Sequence, residues 1–428
     1  MPFRFLSIIP PEIGVITRQN FFHLYADTIW FGILNGSAIS FLAVYATRIG
    51  ASTEQIGFIN AAPALIALIF SLPFGAWIEP QSKRRAVFIT ALLMRIYYLP
   101  LILIPNRLPE NTQVGLIIGM VFLMNIPATG LGVSFNALFA EAVPSQYRAQ
   151  VAGVRNVFFA IVSIITSIGC GFILNFFVFP IGYQIVFALG FLSAALSTLH
   201  LGLVRIPQQV GEISPGQKSL SPQRQDEAQS QGVFKQVTAR VSRSLHFEII
   251  KGPFRTVLWM MFAFHLAQFL PLPLFPIFAV RVLAVEDQII SIANAIFFLA
   301  MLVGSSQTPR LVAKIGNQKT TGLGLMFLAG YPLVLSLSYD PAPYLAAHLL
   351  GGTGWGFASS AMFNFVLERA EPQTRSTHLA WFNLFANAGI LLGSLMGPLI
   401  GDLIGIRLAF VIFALIRFLT GFNILRWK

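Results

Sequence analysis

One acidic side chain lies well inside a long apolar run of this sequence. Asp27 is the only one of the 16 Asp and Glu residues in such a position. A charged group inside a bilayer is costly, so an acid there is by default a candidate functional residue. The structural alternative is an ion pair with Arg155, which lies at a similar depth in another apolar run. The two roles can coexist if protonation breaks the pair.

Further polar and aromatic side chains recur in the apolar runs. A histidine at membrane mid-depth can bind a substrate or titrate, whereas a polar side chain there more often forms a hydrogen bond between helices. Besides Asp27 and Arg155, the candidates for a substrate or proton path are Trp30, Asn35, Asn125, His265, Gln268 and His348.

Motifs of common enzyme classes are absent from the sequence. It contains no His-x-x-x-His, His-Glu-x-x-His or Gly-x-Ser-x-Gly pattern. The single cysteine, Cys170, excludes disulfides and cysteine-based metal sites. The glycines of 351–356 are not followed by the Lys-Ser/Thr of a phosphate loop. We therefore expect no enzyme, no cofactor and no metal site.

Composition places the chain in a bilayer. It is 56% hydrophobic and only 10% charged, whereas soluble domains carry about 25% charged residues. Spanning a bilayer takes about 20 apolar residues, and twelve runs qualify. The first six are at about 21–47, 54–78, 86–104, 112–140, 149–178 and 181–204. The second six are at about 254–280, 287–309, 319–338, 341–366, 376–401 and 405–425.

The distribution of cations predicts the orientation. With the N-terminus inside, the cytoplasmic segments hold 21 of the 28 Lys and Arg residues and the outer loops hold four. Such an asymmetry favours cytoplasmic N- and C-termini. The net charge of +12 is therefore a topology signal, and nucleic-acid binding is not expected.

A short charged turn separates the second and third apolar runs. Its sequence, GAWIEPQSKRR, spans residues 75–85. The turn resembles the loop between helices two and three of the major facilitator superfamily of secondary transporters, with Pro80 replacing a base and Ser82 replacing a glycine. The matching residues are Gly75, Glu79, Lys83 and Arg84.

An internal repeat supports this resemblance. The segment from Arg48 to Ile56 aligns with the segment from Arg281 to Ile289 at an offset of 233, and polar anchors in later helices align at offsets of 228 and 227. In the second half, Ala313 stands where the turn would carry its acid. Two copies in the same orientation are expected for this superfamily.

The repeat predicts the domain organisation. We expect an N-terminal six-helix bundle at 1–204, a cytoplasmic linker at 205–252 and a C-terminal six-helix bundle at 253–428. The linker is rich in Gln, Ser and Pro, which favours disorder. Apolar residues at helical spacing near its end, with bases between them, predict a basic amphipathic helix on the inner membrane face.

The resemblance also implies roles for individual residues. In the family, helices one, four, seven and ten line a central cavity, and an acid there often carries the coupling proton; Asp27 is the candidate. Glu79 would act as a cytoplasmic latch that bonds to the other half in the outward-facing state. Arg95 and Arg417, on helices that are peripheral in the family, are expected to reach the membrane surface or pair locally.

Helix eleven carries small residues at intervals of four. Missing side chains let another helix approach closely, as halves that slide would require. The segment resembles the glycine-proline signature of drug antiporters, which in that group belongs to helix five. These candidate packing residues are Gly389, Gly393, Gly397, Pro398 and Gly401.

The expected function is alternating-access transport of a small molecule, with proton-coupled efflux of an amphipathic compound favoured because the spans are aromatic-rich and carry few charges. Uptake of a sugar or another metabolite is the first alternative. A transport-inactive receptor or assembly factor is the second. We expect a monomeric, multi-pass protein of the cell (inner) membrane whose partners are lipid, substrate and protons.

Overall fold

The structure is a computed structural model that describes residues 13–104, 108–206 and 248–427. The described residues form helices and no strand. The first six long helices are α1 (Val15–Arg48), α2 (Thr53–Ile78), α3 (Lys83–Leu103), α4 (Glu110–Ala142), α5 (Arg148–Phe176) and α6 (Ile181–Leu203). The helix Phe254–Val282 is α7, and Asp287–Ser336 is a 50-residue helical stretch. The last three are α10 (Pro341–Arg369), α11 (Arg375–Ile404) and α12 (Ile406–Arg426).

The 50-residue stretch changes direction at Gly316, whose φ of 81° is non-helical. We call its parts before and after this glycine α8 and α9. By length and apolarity, ten described helices can cross a membrane, with Asp287–Ser336 counted once. Counting α8 and α9 separately gives eleven helices, and α10, which is less apolar, gives the twelfth. The number then equals that of the predicted apolar runs. That all twelve cross the membrane stays a prediction.

Most of the predicted linker lies outside the described residues. This includes the predicted amphipathic helix near its end. The described part of the linker contains the short helix Glu248–Lys251, and Ile249 of that helix packs in an apolar cluster with Phe254 of α7. The boundaries of the three predicted domains stay predictions.

Three apolar clusters show where the two sets of helices meet. We call the ends of the helices that carry the charged turn and Arg148 the basic end; the sequence assigns it to the cytoplasm. The cluster that draws on both sets lies towards the opposite end and includes Phe41, Tyr45 and Phe278. At the basic end, each set has a cluster of its own. The two sets therefore join at the opposite end and pack separately at the basic end.

Helix α11 packs closely on α7 through its glycines. A Cβ added at Gly389 would lie 2.5 Å from the carbonyl oxygen of Phe262, and one at Gly393 would lie 2.7 Å from that of Leu266. Gly397 and Gly401 continue this contact. The glycine face thus serves packing within the second set of helices, whereas its spacing had suggested close approach between sliding halves. Pro398 instead faces the first set, at Gly57 of α2.

Arg417 of α12 stabilises a break in α7. Its side chain is fully buried and donates to the carbonyl oxygens of Ala267 at 3.1 Å, Gln268 at 2.6 Å and Leu328 at 2.8 Å. The residues four positions after Ala267 and Leu328 are Pro271 and Pro332, which have no N–H to donate. Arg417 therefore satisfies carbonyls that prolines leave free in two helices, rather than reaching the membrane surface.

We expect Arg417→Met to destabilise the protein strongly. The substitution keeps an apolar stem but leaves three buried carbonyl oxygens without a donor, which costs about 2–5 kcal/mol in total. The measurement is thermal unfolding of purified protein in detergent. The matched control is Arg426→Met, which removes an exposed arginine from the same helix; an equal fall in melting temperature for both variants would contradict this role.

Candidate functional site

A buried charge network surrounds Asp27. One carboxylate oxygen lies 3.1 Å from Nη2 of Arg155, and the other lies 3.8 Å from Nη2 of Arg95. Ser197 of α6 donates a short hydrogen bond to the second oxygen. Asp27 is only 3% exposed. One acid and two guanidinium groups thus link α1, α3, α5 and α6 inside the first set of helices.

Both arginines have further partners that fix their positions. Arg155 donates from Nε to Thr28 Oγ1 at 2.6 Å, and its guanidinium lies 4.4 Å from the centre of the Phe135 ring. Arg95 donates from Nη1 to Thr198 Oγ1 at 2.9 Å and is 4% exposed. Arg95 was expected to reach the membrane surface or to pair locally; it pairs with Asp27 deep in the bundle because α3 packs against α6.

A cavity of about 270 Å³ lies between the two sets of helices. Its walls come from α1, α7, α8, α9 and α10. The described lining is mainly aromatic and aliphatic and contains no Asp, Glu, Lys or Arg. Its polar side chains are Ser40, Asn294, Tyr331, Tyr344 and His348.

The hydrogen bonds of His348 define its tautomer. Its Nδ1 lies 2.8 Å from the carbonyl oxygen of Tyr344, which can only accept, so Nδ1 carries the proton. Its Nε2 then accepts from the Tyr331 hydroxyl at 2.8 Å. The Tyr331 ring lies 4.3 Å from the ring of Phe275 on the broken α7. Because His348 is buried and the described lining contains no acid to pair with a cation, the cavity presents a neutral imidazole held by two tyrosines.

The other predicted polar residues make contacts outside the described lining of this cavity. Asn35 donates to Ser163 of α5 at 3.3 Å. Asn125 donates to the Val121 carbonyl of its own helix. These bonds support packing, which is the commoner role of polar side chains in membrane helices.

His265, Gln268 and Trp30 also lie outside the described lining of the cavity. His265 Nδ1 donates to the carbonyl of Met261, and its ring contacts Phe382 of α11. Gln268 gives its backbone carbonyl to Arg417. Trp30 is half-buried. Of the six additional candidates, only His348 lines the cavity.

The charged turn is tied to its own half of the chain. Lys83 Nζ donates to the carbonyls of Ile78 and Glu79, each at 2.9 Å, and Arg84 Nε donates to the Gly202 carbonyl at 2.7 Å. Glu79 is exposed, and no atom would lie within 4 Å of a Cβ at Gly75. Because the basic ends pack separately here, the latch role of Glu79 stays a prediction.

Two arginines join the halves at the opposite end, an arrangement that we call the opposite-end gate. Arg48 of α1 pairs with Asp287 at 2.7 Å and donates to the Val285 carbonyl at 2.9 Å. Arg281 of α7 donates to the Ala51 carbonyl at 2.5 Å and approaches that of Thr47 at 3.3 Å. Each arginine thus contacts the half of the chain to which the other arginine belongs.

The sequence contained a signal for this gate. Arg48 and Arg281 are the aligned first residues of the internal repeat, yet we counted them only as outer-loop cations. A repeat related by a two-fold axis places equivalent residues on both sides of the interface. Each arginine therefore reaches the other half in a similar way.

We expect Asp287→Asn to weaken the opposite-end gate. Losing a charge-assisted bond shifts the balance between the closed and open gate by about tenfold. The assay is labelling of Asn294→Cys, in the cavity, by a membrane-impermeant maleimide in a Cys170→Ser background. Labelling from the opposite side should rise and labelling from the basic side should fall.

The control for this prediction is Glu286→Gln, which removes the neighbouring exposed acid. Its labelling pattern should match that of the background protein. If both variants shift accessibility equally, general surface charge and not the Arg48–Asp287 pair would be responsible.

Comparisons of the fold identify transporters with similar structures. The D-xylose-proton symporter superposes with a TM-score of 0.68 at 15% identity, covering 95% of this chain and 97% of the symporter. The nucleoside transporter NupG superposes with a TM-score of 0.62 at 12% identity, covering 97% of this chain and 100% of NupG. A variant of NupG gives 0.66 at 15% identity, with 94% and 98% covered. At these identities the likeness concerns the fold.

Sequence comparison assigns the family. No curated protein matches the chain in sequence. The family profile described as Major Facilitator Superfamily matches residues 28–377 and 257–428. Together with the helical fold, this match indicates a multi-pass membrane transporter of small molecules rather than an enzyme. The chain belongs to the major facilitator superfamily.

Proposed function

We propose that the chain is a proton-coupled exporter of a neutral, amphipathic small molecule, which binds in the cavity between the halves. The observation that carries the proposal is the lining of this cavity. It combines aromatic walls with a few neutral hydrogen-bonding groups and lacks formal charge. A charged substrate there would have no counter-ion, and burying an unpaired charge is costly.

The position of the cavity suits alternating access. It lies where the halves meet, beneath the opposite-end gate and above the separately packed basic ends. A substrate from the basic side would reach it in this conformation. Release to the other side requires the Arg48–Asp287 and Arg281 contacts to break while the basic ends come together.

Uptake of a neutral polar metabolite is the alternative that a specific observation favours. Asn294, Tyr331 and His348 offer hydrogen bonds of the kind that a sugar or nucleoside hydroxyl requires. The cavity volume of about 270 Å³ lies just below the range of ligand sites, which runs from about 300 to 1,000 Å³, so the substrate must be small. Binding measurements with both compound classes separate these alternatives.

A thermal-shift screen tests the substrate class. The panel contains lipophilic compounds, sugars, nucleosides and amino acids at pH 5.5 and 7.5. A ligand at 100 times its Kd stabilises the folded protein by about 2.7 kcal/mol. We expect neutral amphipathic compounds to give the largest shifts, and hits confined to sugars or nucleosides would favour the uptake alternative.

Ala43→Phe fills the cavity and tests its location. Ala43 lines the cavity and is partly exposed, so the added ring enters open space rather than the core. We expect binding of the best hit to weaken at least tenfold, which corresponds to about 1.4 kcal/mol. Leu299→Phe, on the exposed face of α8, is the control. Unchanged binding by a folded Ala43→Phe protein would place the substrate elsewhere.

Asp27→Asn tests proton coupling. If the carboxylate carries the proton, flux driven by a pH gradient in proteoliposomes is abolished while substrate exchange without a gradient continues. Under either role the variant leaves Arg95 and Arg155 without their acid, and the loss of one partner from a buried pair costs about 3–5 kcal/mol. If the carboxylate is purely structural, both fluxes fall together with stability.

The double variant Asp27→Asn/Arg155→Gln separates these outcomes. Removing the acid and one arginine together restores part of the stability under either role. Gradient-driven flux returns only if the pair is structural; its continued absence in a stable double variant supports coupling. Asp340→Asn, which removes an acid at the start of α10, is the control for lost surface charge. Absence of any flux in every folded protein would favour the receptor alternative.

A further inference from the structure

A second large pocket lies away from the central cavity, on the outer surface of the first set of helices. It is a groove of about 540 Å³ between α3 and α6. Phe88 and Leu92 form one wall, and Leu199 and Leu203 form the other. All four side chains are 40–53% exposed. Large apolar side chains with this exposure in membrane helices face hydrocarbon, so the groove opens towards lipid.

The mouth of the groove, at the basic end, is cationic. Arg84 and Arg85 border it together with Ser82, and both arginines are exposed. The bond from Arg84 Nε to the Gly202 carbonyl, at 2.7 Å, holds this guanidinium at the rim, and among the described residues its Nη groups have no hydrogen-bond partner. The other charges of the turn are Glu79, which is exposed, and Lys83, which donates to backbone carbonyls.

The narrow floor of the groove depends on a glycine. A Cβ at Gly202 would lie 2.7 Å from the ring of Phe88. Small side chains on α6, among them Ala195, leave the space above this contact open. The groove is therefore a slot with apolar walls and two guanidinium groups at one end.

A ligand that suits this slot needs an anionic head and an apolar tail. Arginine binds phosphate through bidentate hydrogen bonds, and basic pockets between membrane helices on the cytoplasmic side bind anionic head groups. We propose that an anionic phospholipid of the leaflet at the basic end binds here, with its phosphate on Arg84 and Arg85 and an acyl chain between α3 and α6. This site is separate from the transport cavity and does not depend on the transported substrate.

The groove lies directly behind the buried charge network. Thr198 lines it and also accepts the hydrogen bond from Arg95, which pairs with Asp27. A lipid tail in the groove would cover this part of α6 from the bilayer side.

The test is native mass spectrometry of the purified full-length protein. It is titrated with phosphatidylglycerol or with phosphatidylcholine of the same acyl chains, and the dissociation constant of the first bound lipid is measured. Each arginine near a surface contributes about fivefold to anion binding, so we expect a preference for phosphatidylglycerol of about 30-fold. Arg84→Gln/Arg85→Gln should reduce this preference to near unity.

Two further variants distinguish a specific lipid-binding site from non-specific electrostatic attraction of anionic lipid to the basic end. Ala195→Trp fills the groove from a partly open position and should weaken phosphatidylglycerol binding at least tenfold with the arginines intact. Arg310→Gln/Lys314→Gln removes two exposed cations from the equivalent turn of the second half and should leave the preference unchanged. The proposal is overturned if this control loses the preference equally, if Arg84→Gln/Arg85→Gln retains it, or if Ala195→Trp binds like the unaltered protein.

Discussion

Inside an apolar helix bundle, every polar group must find its partner within the protein, because lipid offers none. Arg417 shows how this constraint shapes the fold. Prolines break α7 and interrupt α9, which frees carbonyl oxygens that water cannot reach. One guanidinium from α12 satisfies two of them, those of Ala267 and Leu328, together with the neighbouring carbonyl of Gln268. The break in α7 is thereby stabilised, and the same broken segment supplies Phe275 to the wall of the central cavity.

The same constraint organises the first half differently. Asp27 is buried with two arginines, so its carboxylate holds four helices together at one point. Such a triad can be a fixed structural element or a site whose pairing changes when the acid takes up a proton. Its position is informative for mechanism. The network lies within the first half, whereas the cavity lies between the halves, so a proton at Asp27 would act on the substrate site through movement of α1, which contributes to both.

The contacts that close the opposite end come from equivalent residues of the two repeats. Arg48 and Arg281 occupy equivalent positions and each bonds to the other half. At the basic end the halves have separate apolar clusters, and Lys83 and Arg84 serve their own half. In this conformation the halves are therefore joined at the opposite end and packed separately at the end that the sequence assigns to the cytoplasm. The exposed Glu79 is compatible with a latch that engages only when this end closes.

The sequence predicted the family through the resemblance of the charged turn and through the internal repeat, and it predicted the helical spans because apolar length determines them directly. It also brought Asp27 and Arg155 together as a possible pair. It did not predict the deep positions of Arg95 and Arg417, because their partners depend on which helices pack together and on which carbonyls the prolines leave free. Pro271 and Pro332 were a usable signal, since each removes the donor for the carbonyl four residues earlier.

The cavity was harder to predict. Phe275 lies on α7, which is interrupted after Phe269 and carries a π-helical turn at Phe278–Val282, so helical spacing alone could not place it in one wall with Tyr331 and Asn294. The glycines of α11 were recognised as a packing surface, but their partner α7 was not. A pattern of small residues in the sequence shows that another helix can approach closely, but it does not show which helix that is.

The central claim is that the protein alternates between a conformation closed at the opposite end and one closed at the basic end. Double electron–electron resonance in nanodiscs tests it directly, with spin labels at exposed positions in a Cys170→Ser background. One pair, at Glu141 and Glu371, reports the basic end; the other, at Glu54 and Glu286, reports the opposite end. The account predicts that a ligand found by screening, or a change of pH, shortens the first distance and lengthens the second together. Distances that stay fixed under all conditions, or that change in the same direction at both ends, would contradict alternating access.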